Sequence, residues 1–214
     1  MRTEERREHL RTALVDAAEA VIAREGLTGL KARDLAQTVG CAIGTIYTVF
    51  PDLDALILAV NLRTLLLFDA TITQVRTESV PAGAPGTAAR SAAIEDLVRL
   101  AVAYLRFARE HPMRWRALFQ HRRETAPPDW YLREQGRLFR TIEGPLQVLC
   151  PRLDETERAL LARSLFSATH GLVGLGLDEK LMSLSDAVLR GQIETVVTAI
   201  GRGLIAQDSA KGQP

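Results

Sequence analysis

The stretch Gly40-Cys41-Ala42-Ile43-Gly44-Thr45-Ile46-Tyr47-Thr48-Val49-Phe50 decides the reading of this chain. Glycine opens it, Pro51 closes it, and Ile43 to Phe50 between them has the pattern of a short helix. Ile46 and Phe50, four apart, share a core-facing side, which leaves Gly44, Thr45, Tyr47 and Thr48 on the other. Just upstream, Lys31 to Val39 carries Leu35, Ala36 and Val39 at helical spacing and ends at Gly40. Short helices joined by a glycine-containing turn form the pattern of a helix-turn-helix. In that motif one helix braces across the DNA backbone and the next offers its first residues to base edges in the major groove. Thr45 and Thr48 supply hydroxyl and methyl groups suited to base edges or thymine methyls, and Tyr47 supplies a phenol at phosphate distance.

Working outward, Leu10, Leu14, Ala17, Ala18, Val21 and Ile22 place one apolar stripe on a first helix that starts near Glu4 and stops at Gly26. Downstream, Leu53 to Thr77 reads as one long helix with Asp52 as its N-cap. Ser79 to Arg90, with two Pro and two Gly among small residues, reads as a linker. Helical patterns follow from Ala92 to Arg109, Met113 to about Arg123 and Trp130 to Val148, broken at His111-Pro112 and Pro127-Pro128. The last two run from about Asp154 to Leu177 and from Ser185 to Gln207, with Ser185 as N-cap. In the final one Ile193, Val196, Val197, Ile200, Leu204 and Ile205 form a stripe. Gly171, Gly174, Gly201 and Gly203 are small enough for close helix packing.

Composition agrees with a helical protein: 31 Leu and 29 Ala among 214 residues, with only 5% aromatics, predict an all-α chain. A hydrophobic content of 47% with 25% charge excludes disorder. The net charge of +1 by itself points to no polyanionic partner. Cys41 and Cys150 stand far apart with no paired Cys or His, so neither a disulfide framework nor a metal site is expected, nor any cofactor. The N-terminus lacks the apolar core of a signal peptide, and no uninterrupted apolar run approaches membrane-spanning length, which predicts a reduced, cytoplasmic protein with no membrane partner.

The segments Gly26-Leu27-Thr28-Gly29-Leu30, Arg33-Asp34-Leu35-Ala36, Val39-Gly40, Gly44-Thr45-Ile46-Tyr47, Phe50 and Asp54-Ala55-Leu56 resemble, in order and spacing, the DNA-binding module of the tetracycline-repressor (TetR) family. The resemblance covers roughly residues 8–58. It implies an all-α homodimer with a helix-turn-helix DNA-binding domain over 1–52 and a helical ligand-sensing and dimerisation domain over 53–214. Such a protein would bind a palindromic double-stranded DNA operator and release it on binding a small-molecule effector. The last two helices of each subunit would form the dimer's four-helix bundle. On the same footing Arg33, Thr45, Tyr47 and Thr48 occupy DNA-contact positions, and Ile43 and Gly44 stand where members make variable base contacts. Three departures matter: Lys31-Ala32 replaces the polar start of the bracing helix, Ala42 replaces the polar cap of the reading helix, and Leu53 replaces a phosphate-holding Lys. Lys31, or Arg2, Arg6 and Arg7 of the N-terminal arm, would have to make up for that lost cation. Further on, His111-Pro112 and Thr169-His170-Gly171 look like a subgroup whose regulatory domain is named for a Trp-His-Gly tripeptide.

Trp115, Phe119, Phe139 and Phe166, with Trp130, read either as plain core or as the lining of a ligand cavity. His170 is either a core histidine bonded to backbone or a polar group that reads a ligand. Ser164, Ser167 and His170 are close in sequence but lack an acidic partner and a nucleophile elbow, so no catalytic set is expected. Residues 99–140 carry ten Arg against four acidic residues, either a solvated face or a surface for an anion. Two other classes stay open: an interaction protein that uses the motif on a protein partner, and a small-molecule-transforming helical enzyme built around His170.

Overall fold

The structure, a computed structural model, describes residues 2–77, 86–123, 126–178 and 184–210. Every regular element among them is helical, as the composition predicts: α1 (Arg2–Glu25), a 3₁₀ turn (Leu27–Gly29), α2 (Ala32–Val39), α3 (Ile43–Val49), α4 (Leu53–Thr77), α5 (Thr87–Glu110), α6 (Pro112–Gln120), α7 (Asp129–Leu149), α8 (Glu155–Gly176) and α9 (Asp186–Ala210). The boundaries have local causes. Gly26 (φ 71°) ends α1, accepting the left-handed conformation that a residue with a Cβ resists. At Gly40 (φ 74°) the Gly40 N–H bonds Gln37 O at 3.3 Å and the Cys41 N–H bonds Ala36 O at 2.9 Å, the paired bonds of a Schellman end. Asp52 caps α4 by accepting from the Ala55 N–H at 2.6 Å, and Ser185 Oγ accepts from the Val188 N–H at 3.4 Å at the start of α9. Asp154 and Glu157 form a reciprocal capping box at the start of α8.

Two expectations are corrected. α5 starts at Thr87, so residues 87–90 of the expected linker are helical. The run Thr87-Ala88-Ala89-Arg90 is made of residues that a helix accepts readily once Gly86 has turned the chain; residues 79–85 of the linker lie outside the described residues. α6 takes Pro112 as its first residue, where the missing N–H costs nothing, and ends at Gln120.

The chain divides into two compact units, Met1–Phe68 with Phe107–Glu134, and Asp69–Arg106 with Gln135–Pro214. In the first, Leu14, Ala18 and Ile22 of α1, Leu35 of α2, Ile46 and Phe50 of α3 and Leu56 and Val60 of α4 make one buried core. Each large apolar side chain so buried contributes about 1.5–3 kcal/mol. In the second unit α8 packs on α9. Close glycine approaches there include Gly201, where a Cβ would stand 2.8 Å from Ile94, and Gly176, where it would stand 2.6 Å from Leu189. Gly171 and Gly203 meet nothing within 4 Å, contrary to the packing expected of them. Gly203 follows Gly201 by two residues, about 200° around the helix, and so faces away from Ile94. By length and composition the Leu53–Val75 part of α4 is apolar enough to cross a membrane, and half of that stretch is buried within the protein. Of its apolar residues Leu56 and Val60 are buried in the first unit's core, whereas Leu66 is 45% exposed.

Candidate nucleic-acid interface

One side of α3 is sealed and the other open. Ile46, Val49 and Phe50 are buried, whereas Ile43 is 40% and Tyr47 47% exposed. Gly44 and Thr48 are exposed and Thr45 is half-buried. A seven-residue helix is too short to stand alone, so the core holds it in place. Two arginines of α1 add to this. The Arg7 guanidinium donates to the Thr48 carbonyl at 3.3 Å, and the Arg11 guanidinium lies 4.6 Å over the centre of the Phe50 ring. The N-terminal arm expected around Arg2, Arg6 and Arg7 is therefore helical, because α1 already begins at Arg2. Neither Arg7 nor Arg11 was legible as a partner of α3, since helical periodicity assigns a face and names no distant neighbour.

The hydroxyl of Thr48 donates to Thr45 O at 2.7 Å, so its proton is committed inside the helix. Ala42, before α3, and Lys31, before α2, make no side-chain cap bond. Lys31 and Arg33 are exposed at the start of α2. Leu53 packs against the first unit's core, as an apolar residue in that place should.

Behind this surface α1, α4 and α6 are tied by charge. Arg63 donates to Asp16 at 2.5 Å and to Glu19 at 2.8 Å, and Arg114 pairs with Glu19 at 2.7 Å while its Nε donates to the Thr64 hydroxyl at 3.2 Å. Burial lowers the Arg114 pKa, and the bonds to Glu19 and Asp16 raise that of Arg63. His121 Nε2 lies 2.9 Å from Asp54 Oδ1, joining the end of α6 to the first turn of α4. Part of the arginine-rich stretch is thus paired: Arg114 with Glu19, Arg137 with Asp69 at 2.5 Å, and Arg99 with Asp96.

Of the six ligand candidates Trp130 stands in the first unit, its ring edge-on to that of Tyr131 at 5.6 Å, and the other five fall into two groups. Trp115 and Phe119 pair in the first unit with ring centres 5.7 Å apart. In the second, the Phe166 ring meets the Phe139 ring edge-on at 5.4 Å and stacks on His170 at 5.8 Å. His170 Nδ1 is 2.7 Å from the Tyr104 hydroxyl, a side-chain partner that the sequence reading missed. Burial pushes the His170 pKa below its ordinary value, favouring the neutral ring. Arg163 lies 5.0 Å over the Phe139 ring. The Ser164 and Ser167 hydroxyls donate to carbonyls of their own helix.

The sequence matches the family described as bacterial regulatory proteins, tetR family, over residues 14–60, and that described as tetracyclin repressor-like, C-terminal domain, over residues 97–198. No curated protein matches the chain in sequence. Among solved structures the chain is similar to a TetR transcriptional regulator from Rhodococcus sp. RHA1 (17% identity, TM-score 0.57, covering 91% of this chain and 95% of that one). It is also similar to a tetR-family transcriptional regulator from Streptomyces coelicolor (18% identity, TM-score 0.59, covering 95% and 89%). A third likeness is to PfmR, a TetR family transcriptional regulator from Thermus thermophilus (16% identity, TM-score 0.55, covering 90% and 97%).

Proposed function

The chain belongs to the TetR family of bacterial transcription regulators, and on that premise we propose that it is a homodimeric, ligand-released repressor of a palindromic DNA operator. In this reading residues 1–52 read DNA, and residues 53–214 sense an effector and dimerise. Ile43, Gly44, Thr45 and Thr48 face the bases, while Lys31, Arg33 and Tyr47 hold phosphates. The observation that carries the reading is the division of α3 into a sealed face and an exposed one. An exposed apolar residue such as Ile43, on a helix fixed from behind, suits a partner surface.

Phe139, Phe166 and His170, with Tyr104, are the proposed effector contacts, and Trp115 and Phe119 are a second aromatic pair for the same role. Dimerisation falls to α8 and α9, supported by the exposed Leu160, Leu175 and Val188. α4 contributes residues to both units and is the natural carrier of the signal. Moving such a switch from 1:99 to 99:1 requires the effector to favour one state about 10⁴-fold. The protein acts in the cytoplasm and returns its effector chemically unchanged.

The head works without bulk attraction, since residues 1–60 hold seven basic against nine acidic groups. Specific placement of Lys31 and Arg33 replaces it. A mobility-shift titration of the full chain with the DNA upstream of its own gene tests the proposal. A retarded band that sharpens at low salt and vanishes with excess operator is expected, and no band at any low salt concentration would sink it. One observation favours a second reading, a helix-turn-helix that docks on a protein: Leu53 packs against the core at the position where the family commonly has a phosphate-holding Lys. Capture of a protein by the chain, with no DNA shift, would favour that reading.

A further inference from the structure

Between Gly40 and Pro51 the chain holds no charged and no amide side chain. Bidentate recognition of guanine uses Arg or Lys, and that of adenine uses Asn or Gln. α3 therefore carries neither type of reader. What it exposes is Ile43, Gly44, Tyr47 and Thr48. The Thr48 hydroxyl proton is spent on Thr45 O at 2.7 Å, so Thr48 offers its methyl group and oxygen lone pairs and no donor. Gly44 has nothing within 4 Å of where a Cβ would stand, so the helix surface between Ile43 and Thr48 is low and can come close to a groove floor. Arg7, the cation bonded at the end of α3, is engaged with the Thr48 carbonyl.

Resting on the DNA-reading proposal above, we infer that α3 reads thymine C5-methyl groups through Ile43 and Thr48, so that the operator half-site core is A·T-rich and its recognition is apolar. In the major groove thymine alone carries a methyl, beside its O4 acceptor. An apolar side chain set against it buries both groups without needing a donor. Thr48 cannot both keep its bond to Thr45 and donate to a guanine or thymine acceptor, so it is the methyl through which Thr48 meets a thymine.

The full chain is used to select sites from a random duplex pool, and each thymine of the selected core is then replaced in turn by deoxyuridine, which lacks only the methyl. About fourfold weaker binding is expected for each contacted thymine, from the burial value of one methyl-sized group. Replacing a contacted T·A pair by 5-methylcytosine·G should keep more affinity than replacing it by C·G. Thr48→Val, which keeps the methyl and puts a second one in place of the hydroxyl, should retain the penalty at its position; Thr48→Ser, which keeps the hydroxyl and loses the methyl, should abolish it. Selected sites that bind equally well with deoxyuridine, or that require guanine in the core, overturn this inference and leave the DNA-reading proposal standing. A pool that yields no enriched sequence overturns both.

Discussion

The Arg7 guanidinium donates to the Thr48 carbonyl at 3.3 Å, joining residues 41 positions apart. The acceptor is at the end of α3, where carbonyls lack partners within the helix and the dipole favours a cation. Arg7 therefore steadies the reading helix, and its proposed role differs from that of a phosphate contact. Arg7→Gln is expected to weaken operator binding while leaving the slope of affinity against salt unchanged, because no counterion-releasing contact is lost. A slope reduced by about one would show that Arg7 holds a phosphate instead.

Gly44 separates folding from reading. An alanine there meets nothing in the protein and removes a helix penalty of about 1 kcal/mol. Gly44→Ala should raise the melting temperature slightly and yet weaken specific DNA binding, because the added methyl stands on the surface that approaches the groove. Unchanged affinity for selected sites would remove Gly44 from the interface, and a loss of thermal stability would mean that the added methyl meets the protein after all.

Arg114 links three helices through Glu19 at 2.7 Å and Thr64 at 3.2 Å. Its side chain is largely buried, so truncation leaves Glu19 with Arg63 as its remaining cation. Arg114→Met should cost about 1–3 kcal/mol of stability in denaturant unfolding, the usual penalty for leaving a buried charged bond unmade. A double-mutant cycle with Glu19→Gln should show coupling of about 0.5–3 kcal/mol. Strict additivity of the two changes would mean that the pair does not act as a unit.

Local chemistry was legible from the residues and long-range pairing was not. Gly40, Asp52 and Ser185 mark helix ends because a left-handed glycine or a capping oxygen acts within a few residues. Ile46 and Phe50 could be assigned to the core from a four-residue spacing, and both are buried. Tyr104 and His170, by contrast, meet across 66 positions, and nothing in the period of α5 or α8 states which of their faces come together. The same limit hid Arg114 and Glu19. Thr87 to Arg90 misled for a different reason: the Pro and Gly before them gave the stretch a loop's composition, while these residues are themselves compatible with a helix.

His170 gives the second unit a pH dependence whose sign follows from its surroundings. Its Nδ1 is 2.7 Å from the Tyr104 hydroxyl and its ring stacks on Phe166, and burial holds its folded-state pKa below the ordinary 6.5. The unfolded chain therefore takes up the proton first as pH falls. The contribution of His170 is fully present above its unfolded value and is lost as pH drops through the folded one. Tyr131, whose phenol is pushed up to about 12 by burial, stays protonated throughout this window. Melting temperature should fall between pH 7 and pH 5, and His170→Gln, which keeps a polar group but does not titrate there, should flatten that fall. A variant profile parallel to that of the unmodified chain would show that His170 titrates as it does in water, and the neutral Tyr104–His170 pair would have to be abandoned.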